Sequence, residues 1–189
     1  MKKILLVAVI AIWACSPNNS KEPQDARLQI IAEHLATSTD SVTINYTDTV
    51  YIPISELQYI RNNATFDTRD IIRDFNTASQ NPQKAVYKEL IARGDSIYNQ
   101  WADRFREASR LCDIPQKVST DTPNAPQDIF EKMSVTHHGK TFTLYKNVGD
   151  SAITDPNIKA NQAAKECYEV LIQMISYLDK RREFYRTLR

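Results

Sequence analysis

NPQKAVYKELIARGDSIYNQWADRFREASRLC, residues 81–112, and DPNIKANQAAKECYEVLIQMISYLDKRREFYRTL, residues 155–188, decide the fold. Each opens on a side chain that accepts from the orphan N–H groups of a first helical turn, Asn81 or Asp155. Each continues with proline, whose missing N–H costs nothing at that position. Apolar residues then recur at helical spacing. In the first stretch they are Tyr87, Leu90, Ile91, Gly94, Ile97, Tyr98, Trp101, Phe105, Ala108 and Leu111. In the second they are Ala164, Cys167, Tyr168, Leu171, Met174, Ile175, Leu178, Tyr185 and Leu188. The spacing predicts two amphipathic helices, to about Cys112 and from Pro156 to about Leu188, each roughly 45–50 Å long at 1.5 Å per residue. A long apolar stripe needs a partner face, and the economical solution is an antiparallel pair.

Outward from this pair the elements are shorter. Leu28, Ile31 and Leu35 predict a helix over 25–36, and Ser55–Asn62 and Thr68–Phe75 read as two short helices, with Asp67 or Thr68 as a cap. Val42, Ile44, Tyr46, Val50 and Ile52 alternate with polar residues, a β signal for one long strand or for a hairpin around Thr47-Asp48. Pro115, Pro123 and Pro126 make the segment after Cys112 a loop. The alternating residues Met133, Val135 and His137, then Phe142 and Leu144, form a hairpin around 133–145 turning at His138-Gly139. The expected fold is mainly α with a minor α+β character: two long antiparallel helices, shorter N-terminal helices and small β elements, in a single domain over 25–189.

The start of the chain is of another kind. Lys2 and Lys3 precede Ile4–Ala14 (ILLVAVIAIWA), an apolar run of 11 residues. A helix needs about 20 to span a bilayer. A basic start, a short apolar core and a small residue before the cut describe a secretory signal over 1–14. Cys15 follows at once, and then polar SPNNSKEPQD. This arrangement resembles the lipobox of bacterial lipoproteins, although Trp13 stands where that pattern is usually small. The resemblance covers the first twenty or so residues. It implies lipidation of Cys15, an acylated anchor in the cell-envelope bilayer and a flexible tether over 15–24. Ser16, where retained lipoproteins carry Asp, points to the outer membrane.

Composition excludes several function classes. The chain carries a formal charge of +1, which falls to −1 without Lys2 and Lys3. Nucleic-acid binding needs a positive field that this chain lacks. The three glycines, Gly94, Gly139 and Gly149, are scattered, so no phosphate-cradling loop can form from them. No catalytic constellation and no cofactor signature appears. His137-His138 does not make a metal centre, because neighbours on a strand point to opposite faces and the only other histidine is His34.

Four further features carry specific expectations. Cys112 and Cys167 form a candidate disulfide, provided that the two long helices are staggered by about three turns. Arg93-Gly94-Asp95 matches an integrin-ligand triplet but falls inside a helix, where Gly94 marks a close helix contact. Asp-Ser/Thr followed by a small apolar residue recurs at Ser41, Thr49, Ser96 and Ser151. It resembles the O-glycosylation sequon of Bacteroidetes envelope proteins, which makes Ser41, Thr49 and Ser151 candidate acceptors. The basic, aromatic end from Lys180 to Arg189 suits a helix C-terminus, and contact with anionic lipid or a partner is the alternative. Together these readings predict a non-enzymatic, membrane-tethered protein-interaction module with a protein partner in the envelope. The alternatives are a protective inhibitor or immunity-type lipoprotein and an envelope hydrolase.

Overall fold

The computed structural model describes residues 24–112, 116–117 and 128–189. The expected signal, Cys15 and the tether up to residue 23 lie outside them, as do Pro115, Pro123 and Pro126. The described elements are α1 (Gln24–His34), β1 (Val42–Tyr51), α2 (Ile54–Ser79), α3 (Lys84–Cys112), β2 (Gln116–Lys117), β3 (Ile129–His137), β4 (Lys140–Asn147) and α4 (Pro156–Thr187). The fold is mainly helical with a small antiparallel sheet. Helices α3 and α4 form the expected antiparallel pair: Tyr87 lies against Phe184 at one end and Phe105 against Tyr168 further along, with ring centroids 5.3 and 6.3 Å apart.

A third long helix joins them. The region predicted as two short helices is one helix of 26 residues, α2. The two residues expected to cap a break have other partners: Asp67 accepts a hydrogen bond from the Trp101 indole at 2.5 Å, and Thr68 donates to the Ala64 carbonyl at 2.6 Å. Ala64 and Thr68 are themselves buried and carry the stripe Leu57–Ile60 through to Ile71–Phe75. Helix α2 runs parallel to α4, with Arg61 beside Glu166 at 3.4 Å, and antiparallel to α3, with Arg104 on Glu56 at 2.8 Å. Helix α3 starts at Lys84 rather than at Pro82. Helix α4 opens as predicted, Asp155 accepting from the Asn157 N–H at 2.9 Å with Pro156 in the first turn.

The sheet has the order β2-β1-β3-β4 and is antiparallel throughout. His138 and Gly139 make the β3–β4 turn with φ of 48° and 72°, the left-handed pair that a two-residue hairpin needs. Strand β1 is one strand, but its register on β3 shifts between Ile44 and Tyr46. The extra residue, Asn45, changes the meaning of the alternation, because a one-residue slip moves every later side chain to the opposite face. Val42 and Ile44 join Met133, Val135, Phe142 and Leu144 on one face, which α1 covers with Leu28, Ile31 and Leu35. Val50, after the bulge, joins Phe130 on the other face, against the bundle residues Leu57, Ile60 and Ala163. The sheet is thereby held between α1 and one end of the bundle. A separate cluster of Phe75, Tyr87, Leu90, Met174 and Leu178 fills the bundle's far end.

Two polar contacts lock this end together. Pro53 precedes α2 and has no side-chain acceptor to offer, so Asp128, from the start of the β3 segment, supplies one: its carboxylate accepts from the Ser55 N–H at 2.9 Å and from the Ser55 hydroxyl. Arg27 of α1 grips Glu131 of β3 through two nitrogens at 2.6 and 3.3 Å, and Lys146 of β4 lies 3.8 Å from the same carboxylate. The three side chains are 6–17% exposed, so the ion pairs are little screened.

Candidate interaction surface

Helix α3 touches α2 on one flank and α4 on the other, and α4 likewise touches α2 on its own inner flank. The opposite flank of the α3–α4 pair has no described element over it. Two facing stripes line this outer seam. On α4 the stripe is Tyr168, Ile172, Ile175, Asp179, Arg182 and Arg186, spaced alternately four and three apart. On α3 it is Lys88, Ile91, Asp95, Tyr98, Ala102 and Phe105, spaced alternately three and four. Both are single helix faces.

The apolar stripes of α3 and α4 are wider than a two-helix contact can cover. Leu171, Met174 and Leu178 are buried, whereas Tyr168 and Ile172 remain 54% and 43% exposed. An apolar pair that exposed at i and i+4 on one helix, beside Phe105 on the next, is a surface and not a core. The seam deepens into two adjoining pockets. One, of about 320 Å³, lies between Tyr98, Asp95 and Ile175, and the other, of about 220 Å³, lies between Ile91, Lys88 and Tyr185; both reach Arg182. The basic C-terminal stretch noted in the sequence supplies the second pocket's rim, Arg182, Arg186 and Arg189.

The other candidate residues fall elsewhere and do not converge. Cys112 and Cys167 are both buried and are not joined, which corrects the proposed disulfide; with Phe105 opposite Tyr168, the stagger of α3 and α4 falls short of the three turns it requires. Burial pushes the Cys167 thiol up to about 11. The His137 and His138 rings lie 4.0 Å apart between centroids, tilted at 45°, with His137 Nε2 3.2 Å from the Thr37 hydroxyl. Among the described residues no three His, Cys, Asp or Glu side chains are grouped so as to hold a metal ion. Arg93 and Asp95 of the triplet point to different neighbours, Asp74 and Arg182, on opposite flanks of α3. Thr49 and Ser151 are exposed, and Ser41 is half-buried with its hydroxyl donating to the Ser38 carbonyl at 2.7 Å. Cys15 lies outside the described residues, among which no helix is long and apolar enough to cross a membrane.

A third pocket, of about 420 Å³, lies between β4 and the start of α4, with His34, Tyr145 and Asp155 in its wall. Its one carboxylate, Asp155, is already the cap of α4. Burial, and Asp155 after it, raise the Tyr145 hydroxyl above the usual phenol range, which makes it a poor acid at neutral pH. No hydrogen bond links these three groups to one another. The exposed seam was the feature that sequence reasoning missed. Its sequence signal is the width that Tyr168 adds to the α4 stripe; Ile172 lies outside that stripe. Compared with protein-family models, with curated proteins and with solved structures, the chain matches none of them.

Proposed function

We propose that this chain is a lipid-anchored cell-envelope protein that acts by docking a partner protein on the α3–α4 seam and does no covalent chemistry of its own. The observation that carries this reading is the exposure of Tyr168 and Ile172 on a flank with no described element over it. Covering the exposed half of each such side chain is worth about 1 kcal/mol, and the two together make the row an anchor for a partner.

The lipobox at Cys15 supports the location. From Cys15 to Gln24 the chain can extend at most about 30 Å, and α1, where it arrives, is clamped to the sheet by Arg27 and Glu131. The 29 residues of α3 span about 43 Å between the far end of the bundle and the sheet end. An anchor at Cys15 therefore holds the sheet end near the bilayer and the far end of the seam away from it.

Two experiments test the two halves. Cys15→Ala should move the protein from the membrane to the soluble fraction; unchanged partitioning sinks the anchor. A photo-crosslinking residue at Ile172 should give a discrete protein adduct in intact cells, and the same residue at exposed Asn62 on α2 should not. Loss of that contrast sinks the docking surface.

A further inference from the structure

Resting on the seam as the docking surface, we infer that its occupant is an acidic amphipathic segment of another protein, apolar over Tyr168–Ile175 and carboxylate-bearing over Lys88, Arg186 and Arg189. The seam changes character along its length. Its sheet-proximal half offers Phe105, Tyr168, Ile172 and Ile175. Its far half is a groove rimmed by four cations, Lys88, Arg182, Arg186 and Arg189, with no carboxylate in the lining. The nearby acids are committed: Asp95 and Asp179 both hold Arg182, and Glu183 holds Arg186 at 3.3 Å. Lys88 and Arg189 form no ion pair among the described residues, and both are exposed. A chain that is nearly neutral overall thus leaves uncompensated positive charge at one end of its exposed apolar row. An anion at that end is attracted, and a cation is rejected.

Span decides between a protein segment and a lipid. Tyr168 and Arg186 are 18 residues apart on one face of α4, about 27 Å, and Arg189 follows just past the helix end. A segment contacting both ends is a helix of about twenty residues or an extended strand of about ten. A lipid headgroup covers one end only. The cationic end is also the end farther from the sheet, and so from the proposed anchor.

The test uses the full chain in its native envelope, with a photo-crosslinking residue at Ile172 or at Tyr185 and sequencing of the captured peptides. The inference expects both positions to capture one segment of one protein, with Asp and Glu clustered where Tyr185 reacts. Combined Lys88→Glu and Arg189→Glu should lower the Ile172 adduct about tenfold, the size expected for reversing two exposed charges. Lys88→Arg with Arg189→Lys should keep the yield. The reversed variant should lose no more than a few degrees of thermal midpoint, because neither side chain is ion-paired among the described residues and Arg189 gives up only its place over the Tyr185 ring, 5.9 Å away. A captured segment without acidic residues, a yield unmoved by charge reversal, or Tyr185 adducts to lipid alone would overturn the inference while leaving the Ile172 docking surface standing. Absence of any adduct from both positions overturns the docking surface as well.

Discussion

Gly94 and Leu178 meet with no room for a methyl group between them: a Cβ on Gly94 would sit well inside the contact distance of the Leu178 side chain. Leu178 cannot simply swing away, because it is 2% exposed and packed with Met174, Phe75 and Tyr87. The glycine costs α3 about 1 kcal/mol of helix propensity and in return brings α3 and α4 together at mid-length. Gly94→Ala regains that propensity but adds an overpacking cost of about 1–3 kcal/mol, so the net expectation is a loss of about 1 kcal/mol. In a Leu178→Ala background the clash is gone, and the same substitution should stabilise by about 1 kcal/mol. Urea unfolding of the four-member cycle checks this, and an unchanged sign in the two backgrounds would show that the close approach is not what selects glycine.

Asp128 ties the start of α2 to the sheet across 73 residues of sequence. Its carboxyl is pushed up to about 6, first by burial and then by the nearby Glu56 carboxylate, against the opposing bond from the Ser55 N–H. Burial, then Asp128, Glu56 and Cys112, also raise the Tyr51 hydroxyl. A carboxyl whose folded pKa lies above its unfolded value holds a proton in the folded state between about pH 4 and 6 that the unfolded chain has released. This group's contribution to stability is therefore greatest below pH 4, falls as pH rises through that window and is lowest above 6, by about 2–3 kcal/mol in all. Asp128→Asn keeps an acceptor for the Ser55 N–H and removes the titration. The variant should match the parent at pH 4 and exceed it at pH 7.5 in denaturant midpoint. A parent whose stability rises between pH 4 and 6 by more than the variant's would contradict this sign.

Glu131 stands between Arg27 and Lys146, 2.6 Å from the first and 3.8 Å from the second. Glu131→Gln takes the charge from the bidentate Arg27 pair in a little-hydrated site, a change costing about 3 kcal/mol when one partner of a buried pair is removed. The loss should be local, because the remaining cover of α1 is the modest row Leu28, Ile31 and Leu35. Hydrogen exchange should accelerate over 24–34, while the central amides of α2, α3 and α4 keep their protection. Uniform acceleration through all four helices would mean that α1 is not a separately opening unit.

The parts of the fold that show in the sequence are those governed by one period and one cap. Asp155-Pro156 announces α4, and His138-Gly139 announces the hairpin, because each obeys a local rule. The misread parts depend on distant partners. Asp67 looks like a cap until Trp101, 34 residues later, takes its carboxylate. Asn45 looks like one more polar residue in an alternating run, yet it is the bulge that sends Val42 and Val50 to opposite faces. Periodicity likewise identifies the apolar row through Tyr168 and Leu171 but passes over Ile172, and it cannot say how much of the row two neighbours will cover. That depends on where α2 packs, and α2 itself was read as two pieces. Cys15 is the reverse case: a purely local motif, read without any help from the fold.

Cys112 and Cys167 supply a direct check of the helix register. Phe105 lies opposite Tyr168 on antiparallel helices, so Cys112 is seven residues beyond Phe105, while Cys167 is one residue from Tyr168. The axial offset is roughly 10 Å, more than the ~7 Å between Cα atoms that a disulfide tolerates. Both side chains are at most 3% exposed, and burial holds the Cys167 thiol far from its nucleophilic form at pH 8. Native protein should therefore react with a thiol-specific chromogenic disulfide no faster than it unfolds, and both thiols should appear promptly in 6 M guanidinium. A mild oxidant should leave the mobility of native protein unchanged on a non-reducing gel, whereas the unfolded chain should yield a faster-migrating looped form. Formation of that looped species from native protein would require α3 and α4 to slide by about two turns, and the Gly94–Leu178 contact could not survive such a slide.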